Sequence, residues 1–556
     1  MFGRNVIKQA WVQPSSHEAR NYRTPLNGPD SAFFLLGDVP VVWAWKHHRL
    51  DFETLKQGLR RTLNRVPTAA GRVRASTKGS MVISNVSSDG CLLEFQLAKR
   101  MPSEDASTAE WAAYGPGEPL IPMEPIEVPL VTATLTHFSE GGCCLFVRMS
   151  HLLTDGAGVV KFMQMWSWET AQVAVCSSPL PAQRPADLCC DHDLSSKKAN
   201  APPLEKEDLD LRLTLPQVLK FFRLAFLTKA TDDVADFEFD VQAMENLKKN
   251  AQRSLGEGKW VSSYEAFMAL ALSCLAQAEG KSSIGTRAVV NIRGRSKLFD
   301  DNYFGVGLSV HEAEDIPTGT GCVADTAWAL HESLRQGLKE MTKMEKVVLI
   351  PEHFQASSTS FLGSLLGGRE LMADRARYLS VWDNCITKDL PVINSWVGYP
   401  WFELNFGLQG GPEASRPDFM RVPPEFRFRR HVHLSPKSAT VYQLRMQLPK
   451  ALMEKFRATF KASGFPFREV STSAPSWFFA SSSPSSVVDS TMKRPSSAAS
   501  LISKPDTRDA ETEKKLQAAK QIMTVQQDKR KAKAVDVPIG RSSKPQLTMS
   551  AVKSKL

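Results

Sequence analysis

Two apolar runs of strand length, Leu130 to His137 and Cys143 to Met149, are separated by Phe138-Ser139-Glu140-Gly141-Gly142. Their β-branched residues and the glycine-containing spacer predict a β-hairpin. After Gly158 the period changes, and Val159, Phe162, Met163 and Trp166 recur at helical spacing. Cys143 to Val173 therefore reads as strand, short loop, helix. Further along, Ser262-Ser263 with Glu265 three positions on signals a capped helix start, and Phe267, Leu270, Ala271 and Cys274 share one face of that helix. Ala288 to Ile292 and Val441 to Leu448 read as strands, and Ala451 to Phe460 reads as a helix.

These alternating elements predict an α/β chain in four parts: a first lobe over 1–178, a Pro-, Asp-, Lys- and Ser-rich connection over 179–210, a second lobe over 211–470, and a low-complexity basic tail over 471–556. The tail is Ser/Pro/Ala-rich at first, and its Asp509 to Ala534 segment carries only a thin apolar stripe, so it is expected to be disordered. No repeat of solenoid or propeller period occurs. The most apolar window, Tyr264 to Ala278, is shorter than the ~20 residues of a bilayer span and is expected to be a core helix. Met1 to Pro14 lacks the apolar run of a signal peptide.

Charge alters this picture in one respect. The 556 residues carry 69 Lys+Arg and 59 Asp+Glu, a net +10 that invites a nucleic-acid reading. From Ser473 onward there are 15 basic and 7 acidic residues, which leaves 54 against 52 for the rest. The surplus thus belongs to the tail, which has no aromatic residue after Phe479 to stack on bases, and no nucleic-acid partner is expected. Nine cysteines, an odd number without a CxxC pair, argue against a disulfide framework and a structural zinc site. The last residues, Ser554, Lys555 and Leu556, match a peroxisomal address, which makes an import receptor an expected partner and the peroxisome the expected location, with the cytoplasm as the alternative. The basic run Asp528-Lys529-Arg530-Lys531-Ala532-Lys533 would be a competing nuclear signal.

The chemistry concentrates in Met149-Ser150-His151-Leu152-Leu153-Thr154-Asp155-Gly156. A histidine closes an apolar strand, and an Asp-Gly turn follows four residues later, just before a helix. An imidazole with an ordinary pKa near 6.5 is mostly neutral at pH 7 and can accept a proton. On spacing alone, His151 is either a general base or a structural histidine. Asp155 either orients the imidazole or pairs with a cation to brace the loop. No HExxH pair, GxSxG elbow or Walker loop is present, and no metal site is expected.

This segment resembles the HxxxDG region of the BAHD acyl-CoA-dependent acyltransferases. The resemblance continues in order through Ser262-Ser263-Tyr264-Glu265-Ala266, Val290 to Leu298, Tyr303-Phe304-Gly305, Asn394-Ser395-Trp396 and Asn405-Phe406-Gly407-Leu408-Gln409-Gly410, and covers roughly residues 20 to 465. Ser150 stands where condensation domains and chloramphenicol acetyltransferases carry a first histidine, which favours the BAHD branch. The second signature departs from DFGWG, with Asn405 for Asp and Leu408 for Trp. An Asn can accept a hydrogen bond from an Arg but cannot neutralise it, so altered coenzyme A affinity is expected. The resemblance implies two chloramphenicol-acetyltransferase-like lobes with a channel between them. It implies acyl-CoA as co-substrate, no permanently bound cofactor, a small-molecule alcohol or amine as acceptor, and a monomer. His151 would be the general base, with Asp155 holding its loop against Arg293. Gly156, Asn405 and Gly407 would support the site, and Arg295 and Lys297 would meet coenzyme A phosphates. A non-catalytic acyl-CoA- or metabolite-binding protein of the same fold is the alternative, motivated by the altered second signature.

An N-terminal fluorescent fusion is expected to be punctate in cells and to turn diffuse when Ser554 to Leu556 are deleted; diffuse signal from both would rule out the address.

Overall fold

Why two lobes form is visible in which strands can bury a face. In the computed structural model, residues 6–26, 37–75, 81–86, 89–116, 128–174, 185–188, 232–296, 299–319, 322–339, 389–408, 411–423 and 430–470 are described. The basic tail with its terminal tripeptide, Lys297 and most of the 179–210 connection lie outside them. The first sheet has six strands in the order β1 (Val6–Val12), β6 (Cys91–Ala98), β7 (Val131–Phe138), β8 (Cys143–Ser150), β3 (Asp38–Trp45) and β13 (Phe419–Arg421). The second has seven, in the order β11 (Leu308–Pro317), β10 (Ser283–Asn291), β12 (Val392–Ser395), β14 (His431–Pro436), β15 (Val441–Pro449), β9 (Asp232–Asp240) and β16 (Arg468–Val470). A small sheet joins β2 (Arg23–Pro25), β5 (Met81–Ser84) and β4 (Arg72–Ala75).

The expected hairpin is present: β7 and β8 pair antiparallel, Val131 opposite Met149 and His137 opposite Cys143. Its turn needs Gly142 at φ +73, where a Cβ would also sit 2.6 Å from the Lys46 carbonyl. Helices α1 (Phe52–Arg65) and α2 (Gly156–Val173) cover one face of the first sheet. Along α2, 13 of 18 residues are buried, so it runs through the lobe rather than over its surface.

In the second lobe, α3 (Val241–Ser254), α4 (Ser263–Glu279), α5 (Val323–Lys339) and α6 (Lys450–Ala462) accompany the sheet. The capping box foreseen at Ser262 and Glu265 is formed: Ser262 Oγ accepts from the Glu265 amide at 3.2 Å, and Glu265 Oε2 accepts from the Ser262 amide at 2.6 Å. The strand foreseen over Ala288 to Ile292 begins five residues earlier and stops one residue short, at Ser283–Asn291, while the last strand and helix extend slightly further than foreseen, to Val441–Pro449 and Lys450–Ala462.

The chain does not keep the lobes apart. After β12 it leaves the second sheet, adds β13 to the edge of the first by pairing with β3, and returns as β14. Buried indoles pin this excursion. Trp43 Nε1 donates to the Trp401 carbonyl at 3.0 Å, and Trp45 Nε1 donates to the Ser415 carbonyl at 2.8 Å. A second tie is ionic. Arg445 of β15 pairs twice with Asp236 of β9 at 2.8 Å and reaches Thr108 Oγ1 of the first lobe at 3.0 Å. Lys437 lies 2.7 Å from Glu238 and 3.2 Å from Asp105. Among the described residues no helix is long and apolar enough to cross a membrane.

Candidate active site

The HxxxDG segment is shaped by strand, turn and helix in succession. β8 ends at Ser150, whose Oγ accepts from the Leu152 amide at 3.3 Å. Its carbonyl accepts from the Leu153 and Thr154 amides at 2.9 and 3.2 Å, which closes a tight turn over His151. The His151 amide donates to the Gly37 carbonyl at 3.0 Å, tying the histidine to the neighbouring strand β3. Burial pushes the His151 imidazole down to about 4, while the Asp155 charge and a hydrogen bond with the Thr154 backbone pull it upward. At neutral pH the ring is therefore uncharged.

Asp155 is the N-cap of α2, and its Oδ1 accepts from the Gly158 amide at 3.1 Å. Oδ2 faces the second lobe, where it lies 2.9 Å from Arg293 Nη2 and accepts from the Gly307 amide at 2.9 Å. Neither partner of this pair is in water: the Asp155 side chain is 0% exposed and that of Arg293 2%. Two such charges are tolerated together only when their remaining polar atoms are also satisfied. Arg293 meets that condition through the Tyr303 carbonyl at 2.7 Å, Asn291 Oδ1 at 3.2 Å and the Gly305 carbonyl.

Glycines make the close approach feasible. A Cβ on Gly156 would lie 2.9 Å from the Trp396 indole, and one on Gly307 would lie 2.7 Å from the Arg293 guanidinium carbon. Phe304, between Tyr303 and Gly305, stacks on Phe162 of α2 at 6.0 Å. The Tyr-Phe-Gly segment thus supplies backbone acceptors to Arg293 and an apolar anchor against the helix that carries Asp155.

The other expected site residues separate in space. Asn405 and Gly407 sit at the opposite end of α2: a Cβ on Gly407, whose φ is +74, would lie 2.8 Å from Ala171 Cα. The fifteen helical steps from Gly156 to Ala171 span about 22 Å, so this signature is remote from His151. Asn405 Oδ1 accepts from the Gly407 amide at 2.9 Å. Among the described residues this local turn, not an arginine, is the hydrogen-bond partner of the Asn405 side chain. Phe406 packs edge-on against Trp45 at 5.7 Å and Trp166 at 6.4 Å. Arg295 is exposed and donates to the Asn291 carbonyl at 3.4 Å. Lys297 lies outside the described residues.

Three neighbours of the site were not singled out as site residues in the sequence: Trp396, Tyr399 and Lys161. Burial pushes the Tyr399 phenol up to about 12, with Asp155 adding to the rise and Arg293 opposing it, so it stands beside the ion pair. Lys161, half-buried on α2, is lowered chiefly by burial and by Arg293. The signal for the first two was the aromatic density of Trp396 to Phe402. Among the described residues no group of three His, Cys, Asp or Glu side chains is arranged to hold a metal ion.

With this geometry in place, comparison with known proteins defines the class. The chain belongs to the BAHD acyltransferase family: a family model described as "Transferase family" matches residues 5–463. It is 27% identical over 274 residues to acyltransferase clz6 of Cochliobolus lunatus, a match over 42% of this chain and only 54% of that protein. It is 22% identical over 380 residues to brassinosteroid-related acyltransferase 1 of Arabidopsis thaliana, over 65% of this chain and 76% of that one. Among solved structures it is similar to F. graminearum TRI101 complexed with coenzyme A and deoxynivalenol, with a TM-score of 0.59 at 17% identity, covering 81% of this chain and 100% of the other. Vinorine synthase follows at 0.53 and 15%, covering 82% and 96%. The fold is the α/β architecture of the chloramphenicol-acetyltransferase-like acyltransferases, as the sequence led one to expect.

Asp155→Asn leaves Arg293 buried without a counter-charge and is expected to cost about 3–5 kcal/mol. Gly156→Ala, which forces the Trp396 indole to move, is expected to cost less stability while lowering turnover roughly 10–100-fold. Urea denaturation and steady-state kinetics separate the two effects; equal losses of stability would show that the Trp396 contact is merely packing.

Proposed function

We propose that this chain transfers an acyl group from acyl-CoA to a hydroxyl or amine of a small molecule, with His151 as general base. The observation that carries this reading is an imidazole just past the end of β8, in a turn braced by a buried carboxylate committed to other partners. Asp155 has its oxygens engaged by Gly158, Gly307 and Arg293, so its role is to hold the loop that carries His151.

The lone pair of His151 takes the proton of the acceptor as its oxygen or nitrogen attacks the thioester carbonyl carbon. The tetrahedral intermediate collapses with cleavage of the carbon–sulfur bond, and the imidazolium returns its proton to the departing thiolate. Atoms and charge balance without a covalent acyl-enzyme or a permanently bound cofactor. Acyl-CoA enters as a co-substrate, a reading supported by the coenzyme A in the similar TRI101 complexes. Arg295, exposed beside the Asn291 turn, is available to its phosphates.

Asn405 favours a second reading, a binding protein without turnover. Its position about 22 Å along α2 from the Asp155 turn argues against a direct effect on the reacting atoms. His151→Ala is expected to lower acceptor-dependent thiol release about 10²–10⁴-fold. Acyl-CoA binding with no turnover on any alcohol or amine would favour the binding protein.

The acid limb supplies an independent check. The base works only when neutral, and burial favours that form, so kcat/KM should stay level down to about pH 5. It should decline as pH falls through about 4, where His151 takes up a proton. A limb centred near 6.5 would identify a water-exposed imidazole or a different base.

A further inference from the structure

A second imidazole, one ring away from the Asp155–Gly156 turn, holds a hydrogen-bonding atom that has no partner among the described residues. His433 lies on β14, in register with Asn394 of β12 and with Arg445 of β15. Arg445 is in turn opposite Asp236 of β9. Residues in register on adjacent strands project to the same face, so these four form a polar row. The alternate residues Val432, Leu434, Leu444 and Phe237 fill the core on the other side. Asp236 neutralises Arg445 through two contacts of 2.8 Å, which leaves the Asn394–His433 end of the row without net charge.

His433 is 5% exposed, and among the described residues its Nε2 has no hydrogen-bond partner. Its ring stands edge-on to the Trp396 indole at 4.7 Å and stacks on His431 at 5.6 Å. The same indole is the group that closes over Gly156. Buried polar atoms in native proteins are almost always paired, and one that is not commonly marks the place of a ligand or a water. Burial keeps both histidines of the stack uncharged at neutral pH. A neutral imidazole offers one donor and one acceptor, and an aromatic wall beside it favours a flat, apolar ring system. A carboxylate or ammonium placed there would meet no unpaired counter-charge in this row and would pay the full cost of leaving water.

We infer that His433 is a specificity contact for the acceptor: its Nε2 hydrogen-bonds a hydroxyl or carbonyl of an uncharged, ring-containing alcohol packed against Trp396, while His151 serves the reacting hydroxyl. This rests on the acyl-transfer reading above and narrows its acceptor to neutral ring alcohols.

The test uses the full chain with acetyl-CoA and three kinds of acceptor probe: deoxynivalenol and 17β-estradiol as neutral ring alcohols, shikimic acid as an anion, and tryptamine as a cation. Equilibrium dialysis reads binding and thiol release reads turnover. A neutral alcohol is expected to bind in preference to the charged probes. His433→Phe should raise its Kd and acceptor KM about 3- to 10-fold, the span of one neutral hydrogen bond, with kcat and the KM for acetyl-CoA within twofold of wild type. His433→Gln, which keeps a polar group near the Nε2 position, should recover most of the loss. Should His433→Phe fail to fold, as thermal unfolding would reveal, His433→Ala against His433→Gln carries the same comparison. Unchanged affinity in the apolar variants, or binding of charged probes alone or of no neutral probe, overturns the inference. His151→Ala should abolish turnover but keep binding. Turnover surviving in that variant would instead sink the general-base reading and leave the His433 result to be judged from binding.

Discussion

One buried ion pair sets the terms for the site. Asp155 belongs to the first lobe and Arg293 to the second, and their 2.9 Å contact has almost no water around it. Removing two charges from water costs several kcal/mol each, which their attraction offsets only if every remaining polar atom is occupied. The surrounding backbone is arranged to that end. Gly158 and Gly307 amides complete the carboxylate, while the Tyr303 and Gly305 carbonyls and Asn291 complete the guanidinium. The small residues follow from the same demand, because a Cβ on Gly307 would intrude on the arginine itself.

From this pair the position of His151 follows. The turn from Ser150 to Thr154 is held at one end by strand pairing with β3 and at the other by the start of α2, whose first residue follows the braced carboxylate. Asp155 acts on the imidazole through its field, which raises proton affinity, but burial outweighs that pull and leaves the ring neutral. The supports therefore deliver an uncharged imidazole in a defined place, not a more basic one. The second signature stabilises the same helix from its far end. Phe406 fills the gap between Trp45 and Trp166, and Gly407 lies against Ala171. An Asn in place of Asp is accommodated there by a turn onto the Gly407 amide.

How much of this was legible depends on the distance over which each signal acts. The β7–β8 hairpin, α2 and the capping box of α4 are encoded within a few residues of themselves, and each appeared where periodicity and capping chemistry indicated. Strand β9 was not foreseen, although Ala235, Phe237 and Phe239 alternate with Asp236 and Glu238. Its polar face is buried as well, against Arg445, Lys437 and Arg468, cations some two hundred residues away in the chain. The excursion to β13 was equally hidden, since three residues carry no period of their own and their strand exists only by pairing with β3.

The sequence by itself determined that a histidine ends an apolar strand and that an aspartate then opens a helix, because strand alternation and N-capping are decided by neighbours along the chain. Order and spacing of the remaining motifs were enough to point to the family. The tertiary structure alone decided what Asp155 faces, why Gly156 must lack a side chain beside Trp396, and that Asn405 lies at the other end of α2. It also decided that His433 stands edge-on to the same indole with its Nε2 unpaired among the described residues. Each of these is a contact between residues far apart in sequence, and burial, which governs both the cost of a charge and the proton affinity of an imidazole, exists only once those residues have met.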